Sequence, residues 1–170
     1  RAGEALVIGR DHVAALVRER FPEPRGLILA GYWPIKSELD LRPALTRLME
    51  ESGLRLAMPV VSTPKAPLTF RPWAPGARME RGFWNIPVPA TLELVKPDIV
   101  LAPVLGFDGA GYRLGYGGGY FDRTLGQPGP RPYAIGIALE SQRLATIFPQ
   151  PHDIRLDVIV TENGPQRSAK

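Results

Sequence analysis

Apolar and polar positions follow two periods along this chain, and the switches between them mark its elements. Behind Asp11, a candidate N-cap, Val13, Leu16 and Val17 fall on one face of a predicted helix that Pro22 and Pro24 end. Leu27 to Ala30 is an unbroken apolar run between Gly26 and Gly31, the signature of a strand buried on both faces. After a loop from Tyr32 to Glu38, Asp40 stands where it can cap a helix carrying Leu41, Ala44, Leu45 and Leu48 on one side. Gly53 follows where a left-handed C-cap belongs. Leu54 to Val61 and Leu68 to Trp73 read as strands divided by Pro64 and Pro67, and the chain from there to Pro89 reads as loop.

A second buried run, Ile99 to Ala102, is entered from Pro97-Asp98 and closed by Pro103. Gly119 to Leu125 can form a helix, and Tyr133 to Leu139 and Leu156 to Thr161 supply two more apolar, partly β-branched strands. This alternation of strands and helices predicts an α/β fold with a mainly parallel sheet. Ligands of such folds bind in the crevice at the strands' carboxyl ends.

Composition narrows the picture. The 170 residues fit one domain spanning 1–170, and at this length folding buries about 70% of the unfolded surface, so no covalent or metal staple is required. Glycine (18) and proline (19) are abundant enough to imply many tight turns but fall short of low-complexity composition. With no cysteine, disulfides, thiolate metal sites and a Cys nucleophile are excluded; with only His12 and His152, so is a His-rich metal centre. No apolar run approaches the roughly 20 residues that span a bilayer, and no leader pattern is visible, so a cytoplasmic protein without a membrane role is expected. The net charge of +4 suits nucleic acid and anionic small molecules alike. The chain opens at Arg1 without Met, which suggests a fragment of a longer sequence.

Chemistry concentrates between a buried strand and a helix, in Gly106-Phe-Asp-Gly-Ala-Gly-Tyr-Arg-Leu-Gly-Tyr-Gly-Gly-Gly-Tyr-Phe-Asp-Arg123. Six glycines fall within Gly109 to Gly119. Lacking Cβ, they let a ligand reach the backbone, so that successive N–H groups converge on an anion, while Arg113 and Arg123 offer phosphate-binding donors. The segment has neither the Lys-Ser/Thr of a Walker loop nor a good G-x-G-x-x-G, since position 120 is tyrosine. Asp122 is a natural Mg²⁺ ligand beside a triphosphate; otherwise it is a salt-bridge partner or matches a helix dipole.

Three other segments carry candidate chemistry. The loop Gly31 to Asp40 brings Tyr32, Trp33 and Glu38 to a strand end, where Glu38 either meets a ligand or closes a cap. In the proline-rich Gly82 to Pro89, Trp84 either packs on the sheet or stacks on a flat heterocycle. In His152-Asp153-Ile-Arg-Leu-Asp157, Asp153 either joins Asp122 at one cation or makes a turn. No G-x-S-x-G elbow occurs and neither histidine has a nucleophile partner, so serine-hydrolase chemistry has no support.

Together these pieces resemble the 5-formyltetrahydrofolate cyclo-ligase family, also called methenyltetrahydrofolate synthetase. The resemblance runs in order through Tyr-x-Pro-Ile-x-x-Glu at 32–38, Met-Pro-Val-Val at 58–61, Trp73-x-Pro-Gly76 and Gly-x-x-x-Ile-Pro-x-Pro at 82–89. It continues through Phe107-Asp108 and the glycine block at 113–123 to His-Asp-x-x-Leu-Asp ahead of Thr161-Glu162. It implies a three-layer α/β/α fold like the sugar-phosphate isomerase and CoA-transferase group. The implied reaction is ATP- and Mg²⁺-dependent: 5-formyltetrahydrofolate becomes 5,10-methenyltetrahydrofolate, with release of ADP and phosphate. Phosphorylating the formyl oxygen makes it a leaving group, and N10 then attacks. Positioning and charge neutralisation do most of this work.

Residue by residue, the resemblance implies that Arg113, Leu114, Gly115, Tyr116, Gly117, Gly118, Gly119, Tyr120 and Phe121 hold ATP. Arg113 and Tyr120 serve catalysis, and Asp122 with Asp153 binds Mg²⁺. Glu38 would meet the pterin's N–H edge, within walls from Tyr32, Trp33, Trp84 and Tyr120. The partner is a reduced folate, and the chain is expected to act as a monomer.

Two departures stand out. Family members begin with a basic helix containing Lys/Arg-x-x-Leu-Arg that reaches ATP, and nothing before Asp11 matches it, so the expectation is either that this helix lies ahead of Arg1 or that the chain is a divergent member with weakened ATP use. The common Tyr-Tyr doublet is Tyr120-Phe121 here. The competing expectation is a noncatalytic folate- or nucleotide-binding relative, touching RNA through its positive surface. It ranks lower, because the chain lacks the interleaved aromatic and basic residues of an RNA platform.

Overall fold

The computed structural model describes residues 2–115 and 119–167. At its centre is a seven-stranded sheet built from β1 (Ile28–Ala30), β2 (Arg55–Val60), β3 (Thr69–Trp73), β6 (Ile99–Pro103), β9 (Tyr133–Ile137), β10 (Val158–Thr161) and β11 (Gly164–Arg167). The order across the sheet is β11-β10-β9-β6-β1-β2-β3. The five inner strands are parallel, with Ala30 beside Ala57 and Val100, while β3 and β11 close the edges antiparallel. Two small antiparallel ribbons flank it, β4 (Met79–Arg81) with β5 (Pro87–Pro89), and β7 (Gly106–Phe107) with β8 (Arg113–Leu114).

The inner strands are apolar on both sides, yet the two faces differ in size. Leu29, Leu56, Ile99, Leu101, Ile135, Ile137, Val158 and Val160 point into one core. Helix α1 (residues 2–20) and helix α2 (Arg42–Ser52) cover that face, contributing Ile8, Val13, Leu16, Val17, Leu45 and Leu48. The other face carries Ala30, Ala57, Val100, Ala102 and Ala134, so a short helix α3 (Tyr120–Leu125) and loops can settle close to it. Large residues on one side and small on the other follow from the two-residue period of a strand. The three-layer reading therefore holds, with helices on both sides of the sheet. Among the described residues no helix is long and apolar enough to cross a membrane.

Several expected boundaries moved. Asp11 caps nothing: α1 runs through it, with a π-helical stretch over Val7–Val13, and Asp11 instead pairs with Arg10 at 3.0 Å. Ala5 and Ile8 extend the apolar stripe of Val13, Leu16 and Val17 backward, which is why the helix begins early. Asp40 stands one residue outside the cap of α2, which is Leu41, though its Oδ1 still accepts the Arg42 N–H at 3.0 Å. Gly53 is the left-handed cap expected, at φ 71°, and its N–H reaches the Met49 carbonyl at 3.0 Å. The ribbons and β11 were not anticipated. Two- and three-residue strands carry too little periodicity, and Pro165 reads as a strand breaker, tolerated here only because β11 is an edge.

Gly9 lies where α1 crosses α2, and a Cβ built on it would stand 2.4 Å from the Ala44 Cβ. Alanine's stub has no rotamer to yield, so any side chain at 9 must push the helices apart. Gly9→Val is expected to lower the unfolding free energy by about 1–3 kcal/mol, the usual range for overpacking, which outweighs the smaller gain in helix propensity. Gly3→Ala, whose methyl would meet nothing within 4 Å, is expected to be neutral or slightly stabilising. Urea unfolding followed by circular dichroism tests both, and equal effects at the two sites would contradict the close crossing.

Candidate active site

The chain leaves β1 for β2 and β3 on one side of the sheet and later returns to place β6 and β9 on the other. The connections after β1 and β6 thus diverge, and the carboxyl ends of these strands open a crevice between them, the place where α/β sheets bind ligands. A cleft of about 1080 Å³ lies there. Its walls come from the loop after β1, the ends of β2 and β6, the β4–β5 turn, the β7–β8 ribbon, the start of α3 and the arm at 147–153.

Arg113 is the most constrained cation in the cleft. Its side chain is only 8% exposed, and Nη2 donates to Asp122 Oδ1 at 3.3 Å. Beneath it lies the Phe121 ring, 5.7 Å from the guanidinium carbon. The same Asp122 oxygen accepts the Ile154 N–H at 3.0 Å, drawing in the arm that carries Asp153. Arg113 Nε is buried and has no hydrogen-bond partner among the described residues. Buried donors are normally satisfied, so this one marks a place for an acceptor. Next to it Gly115 has open space where a Cβ would stand, and Gly119 takes the left-handed conformation at φ 71° before α3. Of the expected ATP-binding residues, Tyr116, Gly117 and Gly118 lie outside the described residues. Leu114 lines the cleft, while Phe121 both lines it and packs on the small-residue face of the sheet.

The opposite wall is aromatic. Trp84 is 63% exposed and meets Tyr120 edge-on at 5.7 Å between ring centroids, with Phe83 6.0 Å on its other side. The Tyr120 hydroxyl accepts the Lys65 N–H at 3.3 Å. Trp84 therefore does not pack on the sheet; a left-handed backbone at Trp84 and Asn85, φ 55° and 60°, turns it outward. Trp33 lies under the Arg42 guanidinium, 4.0 Å from the ring centroid. Tyr32 is nearly buried and gives its hydroxyl to the Leu39 carbonyl at 2.7 Å, leaving ring surface for the cleft. Burial first, and then Glu38 and Asp40, push its pKa upward.

Glu38 closes a turn and also faces the cleft. Oε1 accepts the Ile35 N–H at 2.9 Å in a tight turn, yet the residue also lines the cleft. Burial raises its pKa above the ordinary glutamate value, against the opposing pull of the Ile35 N–H and Lys36. Asp153 is committed in part: Oδ2 accepts the Gln150 N–H at 2.7 Å, and Oδ1 lies 3.5 Å from His152 Nε2. Among the described residues no group of three or more His, Cys, Asp or Glu is gathered for a metal. An Mg²⁺ that keeps phosphate oxygens needs only one or two carboxylates, and Asp122 and Asp153 both face the cleft. Phe148, 78% exposed at the cleft edge, and Phe83 were missed; a lone phenylalanine in a proline-rich loop has no periodic signal.

An α/β sheet whose crevice at the switch point is lined by Arg113, Gly115 and Gly119 has the layout of a small-molecule-binding α/β protein. The chain belongs to the 5-formyltetrahydrofolate cyclo-ligase family, whose model matches residues 27–162. A 5-formyltetrahydrofolate cyclo-ligase of Mycolicibacterium smegmatis is 30% identical over 175 residues, covering 92% of this chain and 90% of that protein. The Escherichia coli K12 enzyme of the same name is 29% identical over 140 residues, 78% of this chain and 76% of its own. Among solved structures, the Aquifex aeolicus 5,10-methenyltetrahydrofolate synthetase superposes with a TM-score of 0.75 at 27% identity, covering 99% of this chain and 84% of that one. The Mycoplasma pneumoniae synthetase gives 0.69 at 26%, covering 94% and 85%.

The raised pKa of Glu38 has a definite sign in stability. The folded chain holds this proton to higher pH than the unfolded one. Its favourable contribution is therefore complete below the ordinary glutamate pKa and is lost as pH rises through the folded value. Glu38→Gln keeps an acceptor for Ile35 and removes the buried charge. The variant is expected to melt higher than wild type at pH 7, with the gap closing as pH falls below the ordinary glutamate value. Thermal melts across that range check it; a gap independent of pH would count against a desolvated carboxylate.

Proposed function

We propose that this chain closes the imidazoline ring of 5-formyltetrahydrofolate, giving 5,10-methenyltetrahydrofolate at the expense of ATP, in the cleft at the β1–β6 switch point. The observation that carries the reading is the buried Arg113, whose Nε has no partner among the described residues, set at the entrance of the glycine loop in a cleft that also has an aromatic wall. It offers a cation to a phosphate at one end of the cleft and flat apolar surface to a pteridine at the other. The family match and the relatives' names support the same substrate pair.

In this reading Arg113 and the backbone of Gly115 and Gly119 hold the triphosphate, together with the loop residues between them. A guanidinium already fixed by Asp122 needs little reorganisation when charge shifts during phosphoryl transfer, which is how preorganised donors lower a barrier. Asp122 and Asp153 would meet Mg²⁺, which would neutralise phosphate charge. Glu38 presents a carboxylate oxygen to the adjacent N–H donors of the pterin, while Trp33, Trp84 and Tyr120 form the slot for the ring. Tyr120, the first residue of α3 and in contact with Trp84, stands where nucleotide and folate meet. ATP supplies the activation that turns the formyl oxygen into a leaving group. The protein's part is to align N10 with the formyl carbon and to keep water out. The balance of basic residues suits an anionic folate tail, and the work is expected of a monomer in the cytoplasm.

Mixing the protein with 5-formyltetrahydrofolate, Mg²⁺ and ATP is expected to raise the near-ultraviolet absorbance of the methenyl product. Omitting ATP or chelating the metal should abolish the rise, and folded protein that gives none would overturn the proposal. Arg113→Lys keeps a charge for Asp122 but loses the planar fork, so kcat/KM is expected to fall by at least about tenfold with the fold intact. Unchanged kinetics would remove Arg113 from the phosphate site.

A further inference from the structure

We infer that Asp108 is a positioning residue that holds the β7–β8 ribbon and the 147–153 arm together at the cleft, and that it acts through Phe148. The inference rests on the proposed folate reaction for its kinetic readout but not for its structural one.

Asp108 is 6% exposed and is spent wholly on backbone N–H groups. Oδ1 accepts from Ala110 at 3.0 Å and from Tyr112 at 3.2 Å, closing the turn between β7 and β8. The Tyr112 carbonyl accepts the Asp108 N–H at 3.1 Å, and Gly111 sits at φ 90°, so the turn is fixed from both sides. Its register decides where Arg113, the next residue, enters the cleft.

The second oxygen does something different. Oδ2 reaches across 39 positions of sequence to accept the Ile147 N–H at 3.3 Å. The segment before Ile147 already runs beside β7, with the Leu144 N–H on the Phe107 carbonyl at 2.8 Å. The Asp108 bond is the last tie before Phe148, whose left-handed backbone at φ 54° and exposed ring form part of the cleft rim. One carboxylate thus sets the strand that delivers Arg113 and the arm that delivers an aromatic wall. A buried acceptor facing three donors suits aspartate alone, because asparagine has one acceptor oxygen and turns an N–H₂ donor toward whatever its oxygen does not face.

Asp108→Asn therefore separates the two ties. Its amide oxygen can keep Ala110 and Tyr112, which leaves the N–H₂ opposed to the Ile147 N–H. Hydrogen exchange of the variant is expected to show faster exchange at Ile147, with Ala110 and Tyr112 still protected. Retained protection at Ile147, or equal loss at all three, would overturn the inference. In turnover, KM for the reduced folate is expected to rise roughly fivefold to tenfold, the scale of one aromatic contact, with kcat changed far less. Phe148→Ala, an exposed position that poses little risk to folding, is expected to raise KM equally, and adding Asp108→Asn to it should add little further. Independent effects of the two changes, or an unaltered KM in Phe148→Ala, would show that Asp108 does not act through Phe148. If wild-type protein gives no methenyl product, the functional reading falls, and the exchange pattern alone still decides the role of Asp108.

Discussion

The site depends on one carboxylate oxygen. Asp122 Oδ1 takes both the Arg113 guanidinium and the Ile154 N–H, and so fastens the β7–β8 ribbon and the 150–154 arm to helix α3. Both side chains of the ion pair are largely withdrawn from water. Breaking such a pair by removing one partner costs about 3–5 kcal/mol, although swapping both partners for apolar groups is often neutral. The pair therefore contributes location more than stability. Helix α3, at six residues, is too short to persist by its own hydrogen bonds. The Thr124 hydroxyl, which accepts the Leu68 N–H at 2.9 Å, and the Tyr120 hydroxyl on Lys65 tie it down on the opposite side.

Carboxylates serve as fasteners elsewhere in the sheet, and the pattern explains how short parallel strands keep their register. Asp98 directly precedes β6, and its Oδ2 accepts the Ile28 N–H of β1 at 2.9 Å. Asp157 directly precedes β10, and its Oδ2 accepts the Ala134 N–H of β9 at 2.7 Å. In each case a residue just ahead of one strand takes an N–H at the start of its parallel neighbour, from the first residue of β1 and the second of β9. A slip of one residue would turn the large side chains of one face onto the small-residue face. The two aspartates fix the amino ends of the strands, and the carboxyl ends are left to diverge into the cleft.

The sequence was informative where a residue's role is local. Gly53 could be placed as a helix cap because the requirement for positive φ lies within one turn, and the runs at 27–30 and 99–102 announced strands because burial on both faces forbids polar residues. Arg113, Asp122, Trp84 and Glu38, which the fold brings to one cleft, could be picked out as candidates because charged and aromatic groups stood in glycine- or proline-rich loops. Roles that depend on distant partners were not. Asp108 could be seen beside the glycine block, but its third donor lies 39 residues away. Asp11 looked like a cap because the apolar stripe of Val13, Leu16 and Val17 begins just behind it. The helix runs on upstream through Gly9, which marks the crossing with α2, a reason that exists only once both helices are in place.

The remaining question is why a chain of this size keeps so many locally unfavourable features in one region. Lys36, Trp84 and Phe148 line the cleft with positive φ, and Lys65, also left-handed, touches Tyr120. Such conformations cost of the order of 1 kcal/mol or more each in residues with a Cβ. Phe83, Trp84 and Phe148 expose large rings to water, and Glu38 holds a partly buried carboxylate. Apart from Lys65, which borders Tyr120, they all face one crevice. Folding stability must come from the opposite face, where α1 and α2 bury the large side chains of the sheet. The division of labour between the faces is therefore physical. The side packed by α1 and α2 supplies the excess stability, and it offsets the cost of a buried donor, Arg113 Nε, with no partner among the described residues and of bare aromatic surface at the crevice.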